Sequence, residues 1–310
     1  MVHVKFVPII IVVFVLLAVS IGLWLWTPDK SRSILQAKYL NAPGDIVEIL
    51  GTHLHVRDSG AKTSPAIILL HGFGSSLQTW DAWASVLQND YRVVRFDLPG
   101  SGLSEPDPTG DYTDARTLAL IGALMDRLQI DQASVIGNSI GGRIAWKFAA
   151  EYPQRVRKLV LISPDGFASA GFGYGDKHTV PASIKLMRYF LPKTLVRQSI
   201  ASAYGNPSAL TEETLDRYYD LMRAPGVRQA MIERMEQTVL LDPEPLLRKI
   251  SAPTLLVWGE KDALIPFGNA DDYLRDIRDA RLVSFPELGH VPQEEAPALS
   301  VQPVRSFLAQ

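Results

Sequence analysis

The sequence predicts an α/β fold: an eight-stranded, mostly parallel sheet with helices on both faces and a helical cap inserted late in the chain. Three observations point there. Short apolar runs alternate with stretches of helical spacing, the pattern of strands buried on both faces. Several of those runs end in glycine-containing turns, where a parallel sheet gathers its strand ends. One long interval, 166–250, breaks the alternation and carries helical spacing alone.

Ile46 to Leu50 and His53 to Arg57, parted by Gly51-Thr52, read as an opening hairpin. His53 and His55 alternate with Leu54 and Val56, which puts both on one face as surface histidines; no third ligand lies near enough in sequence for a metal pair. Six further strands follow: Ala66 to Leu70, Arg92 to Phe96, Ala133 to Ile136, Lys158 to Ile162, Thr254 to Trp258 and Arg281 to Phe285. Helical spacing fills Leu77 to Leu87, Ala115 to Leu128, Ile140 to Glu151, Gly268 to Ile277 and Ala298 to Leu308. Within the cap, Ile184 to Leu191, Lys193 to Ala203, Thr211 to Arg223 and Val227 to Leu240 are helical, divided by Pro192, Pro207 and Pro225. Thr211, followed by Glu212-Glu213, is a natural helix start. The core therefore comprises 46–165 and 251–310, with the cap over 166–250.

Ahead of the core, Phe6 to Trp26 has no charged residue, and as a helix it would span ~30 Å, the thickness of a bilayer interior. Residues 1–30 therefore read as a transmembrane anchor, with a cleaved signal segment ending near Ala18-Val19-Ser20 as the competing reading. An anchor in this place serves export, so the body is expected on the extracytoplasmic side of the membrane. Residues 31–45 read as a polar linker with one helical patch, Ile34 to Tyr39, that lets the body stand off.

A net charge of −2 offers no basic field for nucleic acid, and 47% hydrophobic content with 21% charged excludes disorder on a domain scale. With no cysteine, thiol catalysis, cysteine-ligated metals and disulfides are excluded.

The stretch that organises the chain is Val135-Ile136-Gly137-Asn138-Ser139-Ile140-Gly141-Gly142, an apolar strand passing through a glycine-flanked serine into a helix. Gly137 and Gly141 fit a turn that strains the serine to positive φ and holds its hydroxyl out at the strand end. A hydroxyl needs a base, and the base needs a carboxylate to fix its tautomer. Asp262, in Gly259-Glu260-Lys261-Asp262, and His290, in Leu288-Gly289-His290, each follow a strand, so both reach the same sheet edge as Ser139. Glu260 is the rival acid, and His71 and His178 are the rival bases; Ser101 and Ser104 lack the strand-turn-helix setting. For an oxyanion, the amides of Phe73, in His71-Gly72-Phe73-Gly74, and of Ile140 are the donors, with His71 and Gly72 bracing that loop. Asp97-Leu98-Pro99-Gly100-Ser101-Gly102 reads as a tight turn behind the site.

In their order and spacing, these motifs resemble the α/β-hydrolase fold superfamily over nearly everything from Ile46 onward. The resemblance implies a cofactor-free serine hydrolase with its cap between the sixth and seventh strands. It is similar to membrane-anchored bacterial lipases and esterases, which implies cleavage of a small-molecule or lipid carboxylic ester through an acyl-enzyme on Ser139. Asn138 before the serine is also usual in carbon–carbon bond hydrolases of ring-cleavage products, the alternative activity. A non-catalytic ligand-binding homologue is the alternative from another class.

Overall fold

A computed structural model describes residues 11–14, 16, 20, 22, 25–168, 173–176 and 179–310. Eight strands form one sheet: β1 (Ile46–Ile49), β2 (Thr52–Ser59), β3 (Ala66–Leu70), β4 (Arg92–Phe96), β5 (Ala133–Asn138), β6 (Val156–Ile162), β7 (Thr254–Gly259) and β8 (Ala280–Phe285), in the order β1-β2-β4-β3-β5-β6-β7-β8. Only β1 with β2 and β2 with β4 pair antiparallel; β4 through β8 are parallel. The hairpin turn is Leu50-Gly51, one residue earlier than expected. Both residues have positive φ (49° and 80°), as a two-residue turn matching the twist of its strands requires.

The central strands β3 to β5 are buried almost throughout, so they read as continuous apolar runs. One face packs on α3 (Asp114–Arg127), α4 (Ile140–Glu151) and α8 (Asn269–Asp276), around Trp146, Phe148, Trp258 and Tyr273. The other packs on α2 (Asp81–Leu87) and α9 (Pro297–Leu308), around Trp80, Trp83 and Phe307.

Between β6 and β7 stands the cap, whose longer helices are α5 (Lys193–Ala201), α6 (Glu212–Met222) and α7 (Val227–Gln237). Thr211 caps α6, its hydroxyl accepting from the Thr214 amide at 3.1 Å. The cap has a core of its own, with Leu215 fully buried among Leu191, Val196, Ile200 and Tyr218.

Two expectations fall at the start of the chain. Much of Phe6 to Trp26, residues 1–10 included, lies outside the described residues, and among the described ones no helix is long and apolar enough to cross a membrane. The single-pass anchor and the extracytoplasmic placement drawn from it are accordingly overturned. The stretch read as a stand-off linker is instead packed down. α1 (Arg32–Tyr39) buries Leu35 completely against Leu103, Leu221, Val227 and Met231. Lys30 Nζ and Lys38 Nζ reach Asp220 of α6 at 2.8 and 3.0 Å, the Tyr39 hydroxyl donates to the same carboxylate at 3.0 Å, and Arg228 of α7 meets Asp29 at 2.6 Å. Arg32 and Arg57 complete the strap, donating to the Leu103 and Tyr39 carbonyls.

Candidate active site

β5 delivers Ser139 at its carboxyl end. The serine sits at φ 59°, ψ −123°, a strained conformation that also caps α4. Backbone closeness explains its glycines. A Cβ at Gly137 would lie 2.1 Å from the Gly141 carbonyl oxygen, and one at Gly141 would lie 2.3 Å from that of Leu70. Ile140 is the first residue of α4, so the helix gives its amide no acceptor. The Phe73 amide also lacks a partner among the backbone hydrogen bonds of the described loops. Two free N–H groups thus flank the serine, one from each adjacent strand end.

His290 follows β8 and Asp262 follows β7. Asp262 Oδ2 lies 2.7 Å from His290 Nδ1; because a carboxylate accepts, Nδ1 carries the proton and Nε2 is left as a base. The other Asp262 oxygen accepts from the Leu264 and Ile265 amides at 2.8 and 2.9 Å, which fixes the carboxylate plane. Glu260, the rival acid, bonds the exposed Ser284 hydroxyl at 2.7 Å. Ser139 and His290 line the same chamber, and no hydrogen bond joins hydroxyl to imidazole among the described residues. Such bonds are often long in empty sites and tighten around substrate.

Three anchors that the sequence did not disclose hold the histidine loop. Asn138 Nδ2 donates to the His290 carbonyl at 2.9 Å, tying that loop to the Ser139 turn. The His290 amide donates to the Ala203 carbonyl of the cap at 2.7 Å. Glu295 accepts from the amides of Gly289, Gly205 and Asn206, binding loop and cap together. Beside it Glu294 pairs with Arg217 and accepts from the Tyr204 and Tyr218 hydroxyls. Burial, reinforced by the charge of Glu294, pushes the Tyr218 phenol above its ordinary range, so it stays a donor. The signal for these anchors is three-dimensional, since the partners stand 76 to 152 residues apart or meet backbone atoms.

His71 is fully buried and takes the bracing position expected of it. The Leu98 amide donates to Nε2 at 2.9 Å, so that nitrogen carries no proton, and Nδ1–H donates to the Gly72 carbonyl at 2.8 Å. Burial lowers its pKa and keeps the ring neutral. His178 lies outside the described residues. The Asp97 turn does support the site. Burial works to raise the Asp97 pKa, and the His55 imidazole and the Leu77 amide overcome this and hold it below the ordinary range. His55 is therefore no surface residue. It is fully buried 2.8 Å from Asp97, whereas His53 stays exposed beside Glu105. The 97–104 loop folds over the strand end there, and alternation along β2 could not reveal that.

A chamber of about 460 Å³ opens on Ser139 beneath the cap, walled by Met187, Phe190, Leu195, Ile200, Met222 and Met231 among others. No Asp, Glu, Lys or Arg lines it among the described residues. No cluster of three or more His, Asp or Glu suited to a metal occurs among them either.

The model of the alpha/beta hydrolase fold family matches residues 65–297, a span that holds Ser139, Asp262, His290 and the Phe73 and Ile140 amides. The chain is an α/β hydrolase. Among its curated relatives, the 2-hydroxy-6-oxo-6-phenylhexa-2,4-dienoate hydrolase of Burkholderia cepacia is 30% identical over 78% of this chain and 86% of its own length. A 2-hydroxy-6-oxononadienedioate/2-hydroxy-6-oxononatrienedioate hydrolase of Paraburkholderia phymatum is 31% identical over 88% and 96%. Among solved structures, the enol-lactonase of Burkholderia xenovorans LB400 superposes with a TM-score of 0.74 at 22% identity, covering 85% of this α/β hydrolase and 99% of that chain, a likeness of fold.

Proposed function

We propose that this α/β hydrolase cleaves the carbon–carbon bond beside a ketone in a ring-cleavage product, with Ser139 as nucleophile. The observation that carries this reading is kinship: relatives at 30 and 31% identity over most of the chain are named for hydrolysing 2-hydroxy-6-oxo dienoates. It displaces carboxylic ester hydrolysis, the activity expected from the sequence, from first place. Ser139 Oγ adds to the ketone carbon while His290 Nε2 takes the hydroxyl proton, and Asp262 steadies the imidazolium. The amides of Phe73 and Ile140 hold the oxyanion. In the 2,6-dioxo form of the substrate, reached when the 2-hydroxyl proton moves to C5, collapse breaks the C5–C6 bond, and the other fragment leaves as a delocalised dienolate that takes the proton from His290. Water, deprotonated by His290, then releases the acid from Ser139. His71, Gly72, Gly137 and Gly141 shape the backbone around these steps.

The same groups would hydrolyse a carboxylic ester, and one feature favours that second reading: the chamber of about 460 Å³ that opens on Ser139 has an apolar wall without Lys or Arg among the described residues, although a smaller cavity that also reaches Ser139 is lined by Arg143 and Asp165. Parallel assays with a 6-phenyl dienone acid and with p-nitrophenyl butyrate separate the two. Turnover of the dienone acid, abolished by Ser139→Ala, is the expected result. Ester turnover with none of the dienone would give the function to the second reading. Failure of Ser139 to take a fluorophosphonate label would overturn both in favour of a non-catalytic binder.

A further inference from the structure

The loop that carries the Phe73 amide is held at both ends by the core. His71 Nδ1–H donates to the Gly72 carbonyl at its start, and Asp97 accepts from the Leu77 amide just past its end. Residues 73–75 between them have little support of their own. Phe73 is 40% exposed, Gly74 sits at φ 67°, and the Ser75 amide reaches the Gly72 carbonyl at 3.3 Å, a long bond. An oxyanion donor on such a stretch needs holding from outside, because a displacement of ~1 Å costs about a hundredfold in rate.

The cap does the holding, through α6. Tyr218 and Met222 stand four residues apart on one face of that helix, and both meet the loop. A Cβ on Gly74 would lie 3.0 Å from Met222 Cε, and the Tyr218 hydroxyl lies 3.2 Å from Ser75 Oγ. A phenol has one proton, and Tyr218 donates it to Glu294 Oε2 at 2.9 Å, which makes Ser75 the donor in the bond between the two hydroxyls. Glu294, with its side chain 7% exposed, belongs to the segment that follows His290, and it pairs with Arg217 of the same α6. One phenol oxygen thus ties together the cap, the segment behind the base and the oxyanion loop.

We propose that Tyr218 is a positioning residue for the reaction: its hydroxyl, oriented by Glu294, anchors Ser75 and so sets the Phe73 amide against the developing oxyanion. The cap then completes the catalytic edge as well as covering it. The proposal rests on the reading of Ser139 as nucleophile and the Phe73 amide as donor, and it holds for a ketone and an ester alike.

The test follows phosphonylation of Ser139 by a fluorophosphonate over a range of probe concentrations, in wild type, Tyr218→Phe, Ser75→Ala and the double variant. The probe's phosphoryl oxygen draws on the same donors as a carbonyl oxygen would. Tyr218→Phe keeps the ring and leaves Arg217 and Tyr204 on Glu294. Each single variant is expected to slow the maximal labelling rate about tenfold, the scale of one hydrogen bond expressed in the transition state, with less than a twofold change in the half-saturating concentration. The double variant should be no slower than the slower single one, since both changes remove the same bond. Losses that multiply in the double variant, or an unaltered rate in Tyr218→Phe, would overturn the proposal and leave Tyr218 a packing residue. A raised half-saturating concentration with the maximal rate intact would overturn it too, making Tyr218 a wall of the chamber and nothing more. Should Tyr218→Phe fail to melt cooperatively, Ser75→Ala interrogates the same bond from the loop side, and an unaltered rate there overturns the proposal. In each of these failures wild-type Ser139 is still labelled; a wild-type protein that takes no label would instead sink the hydrolase reading, and the proposal with it.

Discussion

The sheet edge and the cap are held by different kinds of force. At the edge, position is set by backbone closeness: glycines where a Cβ would strike a carbonyl oxygen, a strained serine, and a carboxylate fixed by two amides. Over it, the cap is held by side chains from distant segments, Asp220 gripped by Lys30, Lys38 and Tyr39, and Glu294 gripped by Arg217, Tyr204 and Tyr218. Catalytic geometry tolerates little displacement, whereas a cover must open and close. The edge should therefore fail abruptly when altered, and the cap by degrees.

The largest effect should come from the edge without any loss of fold. Asp262→Asn keeps the volume of the side chain but lets it donate, which favours the wrong tautomer of His290. We expect kcat to fall by about 10³ to 10⁴ with the melting temperature almost unmoved. A fall below tenfold would mean that the carboxylate does not govern the base. Next comes Gly141→Ala, where the new Cβ would sit 2.3 Å from the Leu70 carbonyl oxygen and 2.6 Å from that of His71. Neither backbone atom can rotate away, so denaturant unfolding should register a loss of about 3 kcal/mol. An unchanged midpoint would show the elbow to be more yielding than its packing implies.

The strap offers the contrasting case. Asp220→Asn removes the charge shared by Lys30 and Lys38 while keeping an acceptor for Tyr39. Lys38 is half exposed and contributes little, so the expected loss is about 1 to 2 kcal/mol. Hydrogen exchange should quicken in α1, α6 and α7 and stay slow in β5. Uniform quickening across the sheet would erase the distinction between the two regions.

That distinction also decides what could be read in the amino-acid sequence. Ser139, Asp262 and His290 were legible because each follows an apolar strand in a parallel sheet, and strand ends converge whatever lies between. The turn around Ser139 was legible because its glycines are local. Docking of 27–40 on the cap was not legible, since α1 looks like any short polar helix and its partner Asp220 is some 180 residues away. Burial of His55 was hidden for the same reason, as β2 alternates regularly and only the 97–104 loop covers that residue.

His71 provides the smallest effect and a sign that can be worked out in advance. Its folded pKa is depressed by burial, so in acid the unfolded chain binds a proton that the folded chain resists. Its contribution is fully present above the unfolded value near 6.5 and is lost as pH falls from there towards the depressed folded value. Protonating Nε2 would also break the bond from the Leu98 amide, linking the oxyanion loop to the 97–104 turn. Asp97, lowered as well, loses its contribution only in more acid solution, below its ordinary value of 3.8, so the two limbs separate. His71→Gln should accordingly flatten the slope of stability against pH in the interval just below 6.5 while leaving the steeper acid limb in place. Denaturant midpoints measured at half-unit pH intervals would check it. An identical slope in wild type and variant would mean that the ring titrates equally in both states and is not the neutral brace its two hydrogen bonds describe.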